Sequence, residues 1–248
     1  MLACATFVAI EAHVLKANTE YLPHVDGLRA VAVLVVLLFH LGVPGFGGGF
    51  VGVDVFLVIS GFLITRLIAD EIRVEGRFRF GRFYLRRVRR LAPALLVTVA
   101  ATALASVLLH SPGRLVRTGE EMVAAILSVS NLYFWVEADY FGVSAESRAL
   151  LHTWSLSVEE QFYLLWPATL LVLWRLGVRG GLRNAVLGIG VASLLLNLLC
   201  GEGIPGAEAL GLPEAASDGK PTLFYLTPFR GFEFAVGGVL ALLARPPR

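Results

Sequence analysis

The chain has 248 residues, 56% of them hydrophobic and only 16% charged, with a formal net charge of +2. Its mean hydropathy of +0.74 implies more apolar surface than a soluble domain of this length buries, which excludes a soluble globular fold. The basic residues sit at topological positions, so the charge points to no nucleic-acid partner. Runs of Leu, Val and Ala exceed strand length and lack barrel alternation, predicting an all-α, polytopic transmembrane helical bundle with membrane lipid as its solvent.

Residues 1–20 read as an interfacial or disordered lead-in. Glu11, His13 and Lys16 interrupt the apolar start, and no basic n-region precedes it. The first span is predicted over residues 28–43 and the second over 51–69. Between them lies a glycine cluster, Gly42, Gly45, Gly47, Gly48, Gly49 and Gly52. It lacks the Gly-Lys-Ser/Thr ending of a phosphate loop, so a tight, closely packed connection is the expected role.

A basic block follows, with Arg66, Arg73, Arg77, Arg79, Arg82, Arg86, Arg87, Arg89 and Arg90. The positive-inside rule makes it cytoplasmic and predicts a multi-pass plasma (inner) membrane protein with a cytoplasmic N-terminus. A third span, 91–109, leads outward. Residues 122–135 are apolar but short and are expected to form a re-entrant or interfacial segment. The fourth span, 156–174, then returns to Arg175, Arg179 and Arg183 inside. A fifth span over 185–199, an external loop over 201–221 and a sixth span over 229–243 complete the path, which ends at Arg245 and Arg248. That makes six crossings plus the re-entrant segment.

Several ionisable residues stand where hydrocarbon makes them expensive. Arg29 and His40 bracket an apolar run and are eleven positions apart. They return to nearly the same helix face, roughly 16 Å apart along the axis. Helix anchoring and a satisfied core histidine explain each alone, whereas the pair points to function. Asp54 heads the second span, where it either caps the helix or orients His40. The densest cluster is His152-Thr-Trp-Ser-Leu-Ser-Val-Glu-Glu-Gln-Phe-Tyr163. If helical throughout, it puts Glu159 on the face of His152 and Glu160 about 100° round. On the topology above, this cluster lies near the outer end of the fourth span. Arg230 and Glu233 are spaced for an i,i+3 ion pair. Cys4 and Cys200 are too few and too separated for a disulfide framework or a metal site.

These residues resemble the membrane-bound acyltransferase-3 family (O-acyltransferases). The resemblance is carried by Asp26-Gly-Leu-Arg-Ala30 with Phe39-His40 and by residues 48–65, Gly-Gly-Phe-Val-Gly-Val-Asp-Val-Phe onward. Residues 82–93, the 151–163 block and the last span from Arg230 through Glu233 to Gly237 match as well. The resemblance implies transfer of an acyl group, usually acetyl, from cytoplasmic acyl-CoA to a hydroxyl of a carbohydrate or small-molecule acceptor, often a cell-envelope glycan, without a metal. It assigns Arg29 and His40 as the essential pair, with Arg29 toward acyl-CoA and His40 as general base or acyl carrier. Asp54, His152, Glu159 and Glu160 match further catalytic positions, and Trp154, Arg230 and Glu233 match substrate-contacting ones. Family members carry additional spans, some with an SGNH-type hydrolase domain. Residues 21–248 are therefore expected to be an incomplete acyltransferase-3 membrane domain. The rival readings are a non-catalytic transporter of acyl groups or lipid-linked sugars and an inactive truncated fragment.

Overall fold

The structure, a computed structural model, describes residues 22–137, 148–176 and 181–244. The lead-in of residues 1–20 and Arg179, Arg245 and Arg248 lie outside the described residues. The described elements are helical: α1 (Pro23–His40), α2 (Gly52–Glu75), α3 (Phe80–Leu109), α4 (Pro112–Ile126), α5 (Ser130–Glu137), α6 (Thr153–Arg175), α7 (Gly181–Leu199), α8 (Gly219–Tyr225) and α9 (Thr227–Ala244). Short 3-10 turns occupy Gly49–Val51 and Glu214–Ser217.

Five of these helices are long and apolar enough to cross a membrane: α1, α2 with its leading turn, α3, α7 and α9. The expected count of six is thus reduced by one. The helix that drops out is α6, which covers the expected fourth span. Its 23 residues suffice in length. Its first half, however, carries Ser155, Ser157, Glu159, Glu160 and Gln161, and these dilute its apolar character.

Residues 122–135 do not form one helix. They are divided between α4 and α5, neither long enough to span. The break is a left-handed residue, Ser128, with φ 56°. Its N–H bonds Ala125 O at 3.1 Å and the next, Val129, bonds Ala124 O at 2.8 Å. This is a Schellman closure in which serine takes the place usually held by glycine.

The chain divides into two compact units, one holding residues up to Phe78 together with Glu233 onward, the other Arg79–Phe232. In the first, α1 and α2 form a hairpin whose seam depends on missing side chains. A Cβ at Gly52 would run into Ala32 O, and one at Gly49 into Val35 O. The α2 and α9 backbones meet as closely, because a Cβ at Gly61 would strike Phe234 O and one at Gly237 would strike Val58 O. Hydrocarbon supplies no hydrophobic drive between helices, so close backbone contact of this kind is a main source of cohesion. Only Ala32 of α1 is buried, and Leu28, Val31, Val33, Leu34 and Leu37 are exposed.

The second unit is held by buried polar groups. Ser130 Oγ lies 2.7 Å from Ser157 Oγ and accepts from Thr153 Oγ1 at 3.0 Å. Gln161 Nε2 donates to Ser128 O at 3.1 Å and to Asn131 Oδ1 at 2.8 Å. Its Oε1 accepts from Thr227 Oγ1 at 2.5 Å, and Asn131 Nδ2 donates to Tyr225 O at 3.0 Å. This knot fixes the short helix α5 against α6, the end of α8 and the start of α9. On the other side, Ser193 Oγ and Asn197 Nδ2 of α7 donate to Pro228 O and Phe229 O at the head of α9.

Candidate active site

The expected site residues fall into both units. Arg29, His40, Asp54 and Glu233 belong to the first; His152, Trp154, Glu159, Glu160 and Arg230 belong to the second.

In the first unit Arg29 is half-buried, its guanidinium carbon 4.9 Å from the centroid of the Phe56 ring on α2. Sequence reasoning missed Phe56, because a phenylalanine in a membrane helix reads as lipid-facing or core. The contact holds the arginine by its flat face and leaves its N–H edge available. His40 is the last residue of α1 and is exposed. Its Nδ1 lies 2.8 Å from Val36 O, and the Phe39 ring meets the imidazole edge-on with centroids 5.1 Å apart. A carbonyl only accepts, so Nδ1 carries the proton and Nε2 presents its lone pair. The group that accepts the imidazole N–H is therefore a backbone carbonyl one turn back, and not Asp54. Asp54 lies in the first turn of α2, where a carboxylate complements the helix dipole. Glu233, on α9, is buried, with 3% of the residue exposed.

In the second unit His152 is exposed at the N-cap of α6, and its own carbonyl accepts from Ser155 Oγ at 3.3 Å. Glu159 is buried and its Oε1 accepts a short hydrogen bond from Tyr163 OH. The shared helix face thus leads Glu159 forward to Tyr163, into the bundle. Trp154 is buried against Phe224, with centroids 4.3 Å apart. Arg230 lies over both rings, at 5.5 Å from Trp154 and 5.2 Å from Phe224, and its Nε donates to Phe224 O at 3.2 Å. Trp154 accordingly supports Arg230 and offers little free surface of its own.

Two contacts fix where the acids of α6 lie. Tyr84 OH on α3 donates to Leu164 O at 2.9 Å, and the Arg87 guanidinium carbon sits 3.7 Å from the Tyr163 centroid. Arg87 is also the cation whose charge acts on Glu160. The middle of α6 is therefore level with the first turns of α3, which carry the basic run 82–90. It is not level with the opposite end of α3, where the expected topology had put it. Arg87 escaped the sequence reading because it was one arginine among many in a topological block. Among the described residues, no three His, Cys, Asp or Glu side chains gather to hold a metal ion.

An all-helical membrane bundle with an exposed histidine and an arginine on one apolar helix defines a narrow class. The family described as an acyltransferase domain, Acyl_transf_3, matches residues 22–247. A peptidoglycan O-acetyltransferase of Listeria monocytogenes is 34% identical over 229 residues, covering 92% of this chain and 35% of that protein. An O-acetyltransferase of Staphylococcus aureus is 40% identical over 179 residues, covering 72% of this chain and 29% of that protein. A putative O-acetyltransferase from another Staphylococcus aureus strain is 40% identical over 154 residues, 62% of this chain and 25% of that protein. The chain spans about a third of the length of the curated relatives it matches. No solved structure matches it. The chain belongs to the acyltransferase-3 family and is a membrane-embedded member of that O-acyltransferase group.

Proposed function

We propose that this chain supplies the donor-side chemistry of a membrane O-acyltransferase, which moves an acyl group, in the first instance acetyl, from acyl-CoA to a hydroxyl of an envelope glycan or comparable small acceptor. The observation that carries this reading is the exposed His40, with Nδ1–H held by Val36 O and Nε2 left as the free lone pair. As a general base, Nε2 takes the proton of the acceptor hydroxyl while its oxygen attacks the thioester carbonyl; CoA leaves as thiolate and recovers the proton from the imidazolium. As a carrier, Nε2 itself attacks the thioester and CoA departs as thiolate; the acceptor oxygen then displaces the imidazole to give the ester, and its hydroxyl proton passes by way of Nε2 to the thiolate. The Val36 carbonyl stabilises the imidazolium that forms on either route.

Arg29, on the same helix and roughly 16 Å from His40 along the axis, is too far to share one carbonyl with it. Its N–H edge instead suits a phosphate of the CoA, while Phe56 fixes its flat face. Membership in the family and the likeness to a peptidoglycan O-acetyltransferase both support a glycan acceptor.

Two measurements test this reading. The first replaces His40 with Nδ1-methylhistidine or Nε2-methylhistidine in the whole protein and follows label from acetyl-CoA into glycan. The Nδ1 methyl spares Nε2 but removes the N–H that Val36 O accepts, so it should leave reduced transfer, whereas the Nε2 methyl should abolish it. Equal transfer from both removes Nε2 from the chemistry. The second tests orientation with single cysteines in a cysteine-free background. Those at Arg82 or Arg89 should resist an impermeant thiol reagent in intact cells, and one at Ser111, just past the far end of α3, should react. Labelling of the basic run from outside would reverse the assignment of the donor side.

A further inference from the structure

Arg87, in the middle of the basic run, is built into the fold through aromatic rings. Its guanidinium lies 3.7 Å from the Tyr163 centroid and 5.8 Å from that of Phe83, so its flat face is covered. The Tyr163 ring is buried, and its hydroxyl is anchored on Glu159. The Tyr84–Leu164 hydrogen bond pins the same stretch of α3 to α6. A guanidinium fixed by its face presents its in-plane N–H donors outward as a fork, the geometry that grips a phosphate. Long arginines on a helix surface lose much rotamer freedom when they bind, and a stacked one has already lost it. The surrounding Arg82, Arg86, Arg89 and Arg90 add positive potential at the same end of α3.

We propose that Tyr163 and Glu159 are positioning residues that hold Arg87 edge-outward as a phosphate-binding group at the basic end of α3. The phosphate belongs either to the nucleotide part of an acyl-CoA or to the headgroup of an anionic phospholipid. Only the first source rests on the acyl-transfer reading above. Arg87 is also one of the charges that act on Glu160, the acid next to Glu159 on α6.

The test measures binding of desulfo-CoA to the whole protein in neutral-lipid nanodiscs, and separately the thermal shift given by adding phosphatidylglycerol. Arg87→Ala should weaken the phosphate ligand about tenfold or more, and Tyr163→Leu about three- to tenfold, as expected for loss of one stacking contact. Tyr163→Phe keeps the ring, so it should lose only a few-fold. Adding Tyr163→Leu to Arg87→Ala should change nothing further, since the two act as one unit. If these changes appear with desulfo-CoA, the donor is the ligand. If they appear only in the phosphatidylglycerol shift, the ligand is lipid, and a wild-type protein blind to desulfo-CoA overturns the acyl-CoA reading alone. The proposal falls if Arg87→Ala alters neither measurement, or if well-folded Tyr163→Leu binds as wild type does while Arg87→Ala does not.

Discussion

In the unit built on α1 and α2, helices meet backbone to backbone across Gly49, Gly52, Gly61 and Gly237; Ser60, Thr65 and Glu233 are buried within it, whereas His40 at the end of α1 is exposed. In the unit from α3 to α8, hydroxyls and amides fill the seam, and Ser130, Asn131, Thr153 and Ser157 are almost wholly buried. The difference separates two uses of polarity in a membrane protein. Where close backbone contact supplies much of the cohesion, a polar group at a helix end such as His40 is left accessible. Where the polar groups supply the cohesion, their donors and acceptors are already consumed. A polar residue in hydrocarbon is a functional candidate by default, yet here that default separates cleanly only once partners are known. Gln161, with both amide hydrogens and both sides of its carbonyl oxygen engaged, is the limiting structural case.

The sharpest way to break this comparison is at His40. His40→Ala should lower acyl transfer by about 10²- to 10⁴-fold, the range for losing a general base, with membrane insertion and thermal stability unchanged. Transfer per folded molecule, measured with labelled acetyl-CoA, decides it. Undiminished transfer would move the chemistry to the second unit, where His152 is exposed at the N-cap of α6.

The packing side is tested at Gly237. Leucine there must displace the α2 backbone at Val58, since even a Cβ collides with it. Overpacking of this kind costs on the order of 1–3 kcal/mol or more, and with no side chain to move aside the cost should lie at the upper end. Gly237→Leu should sharply reduce the yield of monodisperse protein. Gly81→Leu, where a Cβ meets nothing within 4 Å, should not. Equal yields would mean that the seam does not hold the unit together.

Much of this was legible before any coordinates. The apolar runs point to the helical class, and the close packing expected of the glycine cluster holds at Gly49 and Gly52, whereas Gly42, Gly45, Gly47 and Gly48 have open space around them. The ends were less accessible. The expected third span began at residue 91, whereas α3 begins at Phe80, because arginine is a good helix former and the basic run simply continues the helix. The spacing of Glu159 to His152 was correct as helical geometry but silent on environment: Tyr163, also in phase with Glu159, lies deeper in the bundle and takes its carboxylate. Arg87 was hidden by its context, since one stacked arginine cannot be told from its neighbours without knowing which ring faces it.

The buried knot predicts a middle-sized effect. Gln161→Leu leaves Asn131 Oδ1, Thr227 Oγ1 and Ser128 O without their partner. Orphaned buried groups cost about 1–3 kcal/mol each in the worst case. The variant should lose several degrees of thermal stability in nanodiscs, and acyl transfer per folded molecule should fall much less than it does in His40→Ala. A proportionate loss of transfer without loss of stability would make Gln161 part of the chemistry and erase the contrast between the units.

The smallest effect is expected at the break between α4 and α5. Ser128 holds a left-handed conformation with φ 56°, which for an L-residue with a side chain costs roughly 1–2 kcal/mol relative to the right-handed helix. Glycine adopts it without that penalty, although glycine also gives the unfolded chain more freedom to lose. The contact that Ser128 makes to Gln161 uses its backbone carbonyl, so Ser128→Gly keeps the knot intact. The balance favours a gain of a few tenths of a kcal/mol to about 1 kcal/mol, seen as a rise of a few degrees in melting temperature. Ser128→Val, which adds a β-branch to the same φ, should lower it instead. If glycine destabilises as much as valine does, the serine side chain itself must hold the break. The division of residues 122–135 would then rest on a side-chain contact rather than on the Schellman closure.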